Sequence, residues 1–318
     1  MKLFWRASAK KKKPVLLNFT GVSAVKGRVW RYEVGRLIYK PGSKPYVFHL
    51  VLDSDALSTP GVLGRVAGAF ARRGVSILQL KVSAAEPLRL IVIADMRGRE
   101  GLVGELCDEL RRAPYVIDIQ TAPPISEGLA IDTCSFPLTL LGQRVVMLRR
   151  NVCEGFIGGG WKRFGSGFGQ LLYITGFDAG RRACEDHSHL APSPDLQVKL
   201  GQALFQLLGY GRLRMVRVDD EKRFAVVRVY DSFECELFKG VGEVRGNFVR
   251  GLIAGWLAAR WGIEDFEGIV AREEKCIAKG DPYCEYHIRG TAARVKYAAR
   301  VKEKAATSAP KVLKSSSA

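Results

Sequence analysis

The sequence predicts an α+β protein built from two domains. Its 318 residues approach the length at which a single hydrophobic core stops growing, so two domains of ordinary size are expected. Alternating apolar stretches typical of strands, and stretches with apolar residues at helical spacing, occur on both sides of a Pro-rich segment at 122–126. No apolar run approaches the roughly 18 residues of a membrane span, and no signal-like segment is recognised, so we expect a cytoplasmic protein without a membrane partner.

The first half of the chain shows the pattern of a β-α-β-β-α-β domain. Its first helix starts after Pro60-Gly61 and closes at Gly74, a residue type that commonly ends helices. In chain order, the predicted elements are a strand at 46–52, a helix at 61–74, strands at 75–82 and 88–94, a helix at 101–112 and a strand at 115–121. This order is the ferredoxin-like arrangement.

Two flanking segments are assigned from the same patterns. The stretch 27–39 alternates apolar and polar residues and predicts a β-hairpin, followed by a turn at 40–43. We attach this hairpin to the first domain, which then spans 27–124. Residues 125–144 are expected to form a linker.

The run Thr-Pro-Gly-Val-Leu-Gly at 59–64 and the run Arg-Gly-Val-Ser-Ile at 73–77 resemble an ACT domain, over about residues 45–124. The resemblance implies an amino-acid ligand held by the backbone of Gly61, Val62 and Leu63, beside Ser58. Free backbone N–H groups at a helix N-terminus suit a carboxylate. The alternative is a structural or dimerising module in which Ser58 or Thr59 caps the helix.

The second half predicts helices layered over an antiparallel sheet. A glycine-rich run at 155–169 is expected to be a loop leading into the first helix, because it lacks the spacing of a phosphate-binding or dinucleotide-binding loop. The predicted elements are helices at 170–183 and 196–208, strands at 214–218 and 224–229, a helix at 248–261 and strands at 268–277 and 283–288. An α+β domain over residues 145–290 follows.

Three motifs in this half resemble the 4-vinyl reductase domain. They are Asp-Ser-Phe-Glu-Cys at 231–235, Phe-Val-Arg-Gly-Leu-Ile-Ala-Gly at 248–255, and a Glu-Glu-Lys-Cys run followed by Gly-Asp-Pro-x-Cys-x-Tyr at 273–286. The family includes effector-sensing domains of aromatic-responsive bacterial activators, proteins linked to bacteriochlorophyll biosynthesis and many archaeal proteins. The two resemblances together imply a regulatory protein that combines both modules.

The last motif has the spacing of a metal site. Seven residues with a Gly-Asp-Pro turn separate Cys276 from Cys284, so a hairpin can bring both thiolates onto one cation, and Glu273 adds an oxygen. The cation would be a structural Zn²⁺; the alternative is two buried free thiols. The resemblance implies a further cysteine near position 246, where this chain has Gly246, and Cys235 is the nearest substitute.

Two further groups of residues are candidates. Tyr173, Phe205 and Trp256 are able to line an apolar effector pocket between helices and sheet; the alternative is that they fill the core. The run Cys-Glu-Asp-His-Ser-His at 184–189 has metal-ligand types, but we expect a solvated helix end there, since no partner motif exists.

The charge is concentrated at the two ends. Residues 1–50 hold 12 Lys or Arg against one acid, and residues 291–318 hold 7 against one, which leaves +1 of the total +18 for residues 51–290. We interpret 1–26 as a basic N-terminal segment and 291–318 as a basic, disordered tail. Only weak contact of these ends with nucleic acid is left open.

These observations favour a non-catalytic sensor that binds an amino acid or an aromatic effector and works as a homodimer with a structural zinc ion. No Ser-His-Asp or Cys-His arrangement stands out, and no catalytic residue is predicted. One alternative is a tetrapyrrole-related 4-vinyl reductase or its accessory subunit, although the chain lacks a nicotinamide or flavin fingerprint. A further alternative is a DNA-associated transcriptional regulator.

Overall fold

The computed structural model describes residues 31–84 and 86–291, which form two compact units. The first unit ends at Met147 and the second begins at Leu148. The basic segment 1–26 and the tail, apart from Thr291, lie outside the described residues. Along the described stretches, no helix combines the length and the apolar character that a transmembrane segment requires.

The first unit has the predicted β-α-β-β-α-β order, and the α+β fold class is confirmed. Its elements are β1 (Leu37–Tyr39), β2 (Pro45–Leu52), α1 (Val62–Arg72), β3 (Ser76–Ser83), β4 (Leu88–Asp95), α2 (Val103–Arg111), β5 (Val116–Ala122), β6 (Leu129–Ile131), β7 (Thr139–Leu140) and β8 (Gln143–Arg144). The main sheet has the strand order β3-β4-β2-β5, and every pairing in it is antiparallel. The six elements of this order, β2 to β5 with α1 and α2, each start within two residues of the predicted position.

The helices α1 and α2 cover one face of this sheet. Alternate residues of β2, Phe48 and Leu50, point to that face and are fully buried. The ring of Phe48 meets the ring of Phe70 from α1 edge to face, with centroids 5.1 Å apart. The amphipathic spacing of α1 therefore sets the core of the unit.

The opposite face of the sheet is covered by a two-stranded ribbon of β1 and β6. Leu37 pairs with Ile131, and Ala130 is fully buried against Val47 and Ile93 of the sheet. The expected hairpin at 27–39 is wrong in its described part, and the expected linker at 125–144 contains β6 and the small β7–β8 hairpin. The reason is that β2 and β4 are apolar on both faces. The second face is therefore also shielded from water, and the β1–β6 ribbon does this.

His49 lies on this covered face and is only 3% exposed. Within the described residues, neither of its ring nitrogens has a hydrogen-bond partner. Burial lowers the pKa of His49, while the charges of Asp132 and Asp118 oppose those of Arg89 and Arg36. The folded first unit therefore binds this proton less readily than the unfolded chain does.

We predict that the first unit loses stability as the pH falls below about 6.5, because the unfolded chain then gains a proton that the folded state resists. Urea unfolding of His49→Leu between about pH 7.5 and pH 5.5 should show a weaker pH dependence than the unsubstituted chain. His189→Gln, at an exposed histidine, is the control and should leave the dependence unchanged. Equal pH dependence in all three proteins would contradict the assignment.

The second unit layers helices over a second antiparallel sheet. Its elements are α3 (Arg150–Cys153), a π-helical turn (Glu154–Gly158), α4 (Gly159–Leu190), α5 (Pro194–Leu207), β9 (Arg212–Asp219), β10 (Phe224–Tyr230), α6 (Phe233–Glu236), α7 (Asn247–Arg260), β11 (Ile269–Lys275) and β12 (Cys284–Gly290). The sheet has the order β11-β12-β10-β9. Helices α5 and α7 contact its strands, and α4 packs along α7.

The glycine-rich run at 155–169 is helical, so the loop expected there is wrong. Only at Gly165 does the backbone leave helical geometry within α4, with a φ of 57°. The aromatic rings of Phe168 and Trp161 occupy the space where side chains at Gly160 and Gly169 would lie. Packing thus overrides the low intrinsic helix propensity of glycine.

Helices α4 and α7 approach each other through glycine. A Cβ atom at Gly180 would overlap the carbonyl oxygen of Leu252, and a Cβ at Gly255 would overlap that of Phe177. Because both obstacles are helix backbone, neither can move aside cheaply.

We therefore predict that Gly180→Ala lowers the free energy of unfolding of the second unit by about 2 kcal/mol or more. The matched control on the same helix is Gly167→Ala, where a Cβ meets no heavy atom within 4 Å. That control should be neutral or gain up to about 1 kcal/mol from helix propensity. Chemical denaturation of both variants tests the prediction, and a fully stable Gly180→Ala protein would contradict it.

Candidate metal centre

The β11–β12 hairpin brings Cys276 and Cys284 together. Cys276 follows β11, a short 3-10 turn (Ile277–Lys279) and Gly280 reverse the chain, and Cys284 begins β12. The backbone N–H of Cys276 donates to Oδ2 of Asp281 at 2.8 Å, and that of Ile277 donates to Sγ of Cys284 at 3.5 Å. Both cysteines are fully buried, so the turn holds two sulfurs away from water.

Helix α6 adds a third sulfur, and β11 adds a carboxylate. Sγ of Cys235 lies 3.6 Å from Sγ of Cys276 and 3.8 Å from Oε1 of Glu273. One ligand atom from each of Cys235, Glu273, Cys276 and Cys284 lies within 4.8 Å of all the others. The structure thus brings together all four residues that were predicted as metal ligands.

The spacing of these atoms fits a tetrahedral zinc ion. Zn–S bonds of about 2.3 Å place two ligating sulfurs ~3.8 Å apart, which is close to the observed 3.6 Å between Cys235 and Cys276. Three thiols and one carboxylate form a donor set that zinc prefers. The residues present therefore fit the ion that the sequence suggested.

Gly246 lies directly beside this cluster, and its side-chain position is closed. Its backbone N–H donates to Oε2 of Glu273 at 3.0 Å. A Cβ atom at this position would overlap the hydroxyl of Tyr286 and lie 2.8 Å from Oε1 of Glu273. A ligating side chain at 246 is therefore incompatible with this arrangement, and Cys235 is the residue whose sulfur joins the cluster instead.

The electrostatics of the cluster favour a cation. Burial, together with the charge of Cys276, raises the pKa of Glu273 to about 8. Hydrogen bonds from the thiols of Cys235 and then Cys284 lower the pKa of Cys276. Because ligands must be deprotonated to coordinate, a metal ion at this site displaces protons that the buried groups otherwise keep.

Glu234, the neighbour of Cys235, is a functional residue that the sequence analysis missed. Its fully buried carboxylate accepts hydrogen bonds from the backbone N–H groups of Asn247, Phe248 and Val249, at 3.0, 2.9 and 2.9 Å. These are the first N–H groups of α7. Burial raises the pKa of Glu234 to about 7, although the three hydrogen bonds act to lower it. The first turn of α7 has no acidic residue of its own, but this does not identify Glu234 as the residue that caps it.

The three aromatic residues predicted to line an effector pocket lie in the hydrophobic core of the second unit. Nε1 of Trp256 donates to Nδ1 of His187 at 3.0 Å, and the ring of Phe205 lies 5.4 Å from that of Tyr210. The guanidinium of Arg250 lies 5.1 Å from the centre of the Tyr173 ring. Their contacts in this structure are with neighbouring side chains.

The predicted ligand residues of the first unit lie at the start of α1. Gly61 precedes the helix with a φ of 87°, and a Cβ there would meet no heavy atom within 4 Å. Val62 is buried, whereas Leu63 is exposed. The cap by Ser58 or Thr59, considered as an alternative, is not formed: both hydroxyls donate to the carbonyl of Asp55, in the preceding 3-10 turn.

The run at 184–189 is only partly the solvated helix end that was expected. Cys184 and His187 are buried, and burial raises the pKa of the Cys184 thiol to about 11. α4 continues to Leu190, so both residues lie within the helix, and Nδ1 of His187 accepts a hydrogen bond from Trp256 of α7. Glu185, Ser188 and His189 are exposed as expected.

No family model matches the chain, and no curated protein matches it. Among solved structures, it is similar to the phenol-responsive sensory domain of the transcription activator PoxR in complex with phenol, at 19% identity over 54% of this chain and 87% of that chain, with a TM-score of 0.42.

Two other solved structures match shorter parts of the chain. A vinyl-4-reductase family protein from Methanocaldococcus jannaschii matches at 19% identity over 38% of this chain and 68% of that chain, with a TM-score of 0.27. An aspartate kinase from Clostridium acetobutylicum matches at 12% identity over 26% of this chain and 18% of that chain, with a TM-score of 0.22. At these scores the likenesses do not decide what this chain does.

We predict that Glu234→Ala lowers the free energy of unfolding by at least about 3 kcal/mol, because three buried N–H groups lose their acceptor. Glu236→Ala, two residues further along α6 and partly exposed, is the control and should cost less than about 1 kcal/mol. Denaturant unfolding measures both values. If Glu234→Ala lost no more free energy of unfolding than the control, the cap would contribute little.

Proposed function

We propose that the chain is a non-catalytic regulatory protein that binds a small-molecule effector, and that a structural zinc ion organises its second unit. The observation that carries the proposal is the convergence of Cys235, Glu273, Cys276 and Cys284 at coordinating distances. Four protein ligands fill a tetrahedral site, whereas a catalytic zinc site keeps one position for water or substrate. The role of the ion in this proposal is therefore to stabilise the fold.

The metal site would connect parts of the second unit that are distant in sequence. Cys235 comes from α6, Glu273 and Cys276 come from β11 and its end, and Cys284 begins β12. Since the site does not exist in the unfolded chain, the free energy of metal binding adds to the free energy of folding. The adjacent Glu234 extends the same connection to α7.

The regulatory part of the proposal is supported by the sequence motifs. The run at 59–77 resembles ACT domains and the three motifs at 231–286 resemble 4-vinyl reductase domains, and both families include modules that sense small molecules. An effector that binds one state of a homodimer more tightly would shift the population toward that state. The choice between an amino acid and an aromatic effector rests on which unit binds it.

We predict about one zinc ion per purified chain, with loss of the ion in Cys276→Ser. Loss of the ion should lower the melting temperature by about 10 °C or more, because each kcal/mol of unfolding free energy shifts it by about 2–4 °C in a domain of this size. Elemental analysis and calorimetry measure both effects. The control is Cys153→Ser, at a half-buried cysteine outside the cluster, which should keep the ion. A metal-free protein that is equally stable in chelator would contradict the proposal.

The effector is tested separately by thermal shift with aromatic compounds and amino acids. A ligand present at about 100 times its dissociation constant should add about 2.7 kcal/mol to the stability of the unit that binds it. A library without any stabilising compound would contradict the sensor role and leave the zinc assignment standing.

A further inference from the structure

The second unit contains an open cleft of about 530 Å³ between the C-terminal half of α4 and the end of α7. Its volume lies in the range of small-molecule sites. The cleft includes part of the run at 184–189, which the metal site does not use. Its lining residues fall into an apolar floor and a charged rim.

The floor of the cleft is apolar. Cys184 and Ile263 line it and are 7% and 8% exposed, and Ala259 and Pro194 complete it. Because burial raises the pKa of Cys184 to about 11, its thiol stays neutral at physiological pH and behaves as a small apolar group. The floor therefore suits an apolar body.

One charged pair in the cleft is already satisfied. Nε and Nη2 of Arg260 donate to the two carboxylate oxygens of Asp220, at 2.8 and 2.7 Å, and its Nη1 donates to the carbonyl of Pro194. Asp220 also accepts from Nε1 of Trp261 at 2.9 Å. The charges of Arg260 and Asp220 compensate each other at this side of the cleft, and few of their donors are free for a ligand.

The remaining charges lack ion-pair partners among the residues that the structure describes. Arg181 donates through Nη1 to the backbone carbonyl of Glu264, and its Nε is buried without a hydrogen-bond partner in the described part of the chain. The carboxylates of Glu185 and Glu264 form no ion pair within that same part. Buried unsatisfied donors are uncommon in folded proteins and call for an acceptor.

One guanidinium and two carboxylates around an apolar floor are complementary to a zwitterion with an apolar body. We propose that this cleft binds an α-amino acid with an apolar side chain, with its carboxylate on Arg181, its ammonium group near Glu185 and Glu264, and its side chain on the floor around Cys184. Arginine is suited to the carboxylate because its guanidinium stays charged and keeps donors that the carbonyl of Glu264 does not use. This inference rests on the proposed sensor function and names the effector class and the site.

The test uses the full, zinc-loaded chain and two amino acids, L-phenylalanine and L-leucine, in titration calorimetry. For each, one analogue lacks the amine (3-phenylpropionate, 4-methylpentanoate) and one lacks the carboxylate (2-phenylethylamine, 3-methylbutylamine). At least one amino acid should bind with a dissociation constant in the millimolar range or below. Its two analogues should bind at least about tenfold more weakly, which corresponds to about 1.4 kcal/mol.

Matched variants locate the site. Arg181→Gln should weaken amino-acid binding at least about tenfold, whereas Arg182→Gln, at the exposed neighbour outside the cleft lining, should leave it unchanged. Glu185→Gln, on the exposed rim, should weaken binding of the amino acid but not of its amine-free analogue. If Arg181→Gln fails to fold, the binding measurements on Glu185→Gln still test whether the amino acid occupies this cleft.

Two outcomes overturn the inference. Absence of binding of both amino acids excludes the proposed ligand class. Binding that is equal in the unsubstituted chain and in both cleft variants places the ligand elsewhere, for example at the start of α1, and then the sensor function stands without this site. The zinc content is measured in the same samples, so a loss of metal would be recognised separately.

Discussion

Three buried thiols and one partly buried carboxylate meet at one point of the second unit, and this cluster joins α6, β11 and β12. In the absence of a cation, Glu273 has its pKa raised to about 8 by burial, beside a cysteine whose own pKa is lowered. The hydroxyl of Tyr286 is buried beside them without a hydrogen-bond partner in the described residues. Such a group of buried polar atoms is costly by itself, and the proposed divalent ion would provide the charge that offsets this cost.

The metal centre and the cleft lie at opposite ends of the same helix. Helix α7 begins beside Cys235, where Glu234 caps it, and ends at Arg260 in the cleft wall, about 20 Å further along. Along this length it packs on α4 through backbone contacts that only glycine permits. In the proposed function, one end of the helix would contribute stability and the other would take part in ligand recognition.

The elements with strong local signals were predictable from the sequence. The helical spacing of α1 and α7, the apolar runs of β2 and β10, and the Cys276–Cys284 hairpin all appear where the pattern placed them, since each is set by neighbours in the chain. Cys235 was predicted only as the nearest substitute for a ligand near Gly246, and the structure places its sulfur beside that of Cys276. The pairing of β1 with β6, the helical glycine run, the cap from Glu234 and the burial of Cys184 depend on contacts distant in sequence, and no local pattern reveals them.

X-ray absorption at the zinc edge tests the central claim most directly, because it counts the sulfur atoms bound to the ion. The account predicts three sulfurs at about 2.3 Å and one oxygen at about 2.0–2.2 Å, with one sulfur fewer in Cys235→Ser. A spectrum with only two sulfurs, or one that Cys235→Ser leaves unchanged, would contradict it.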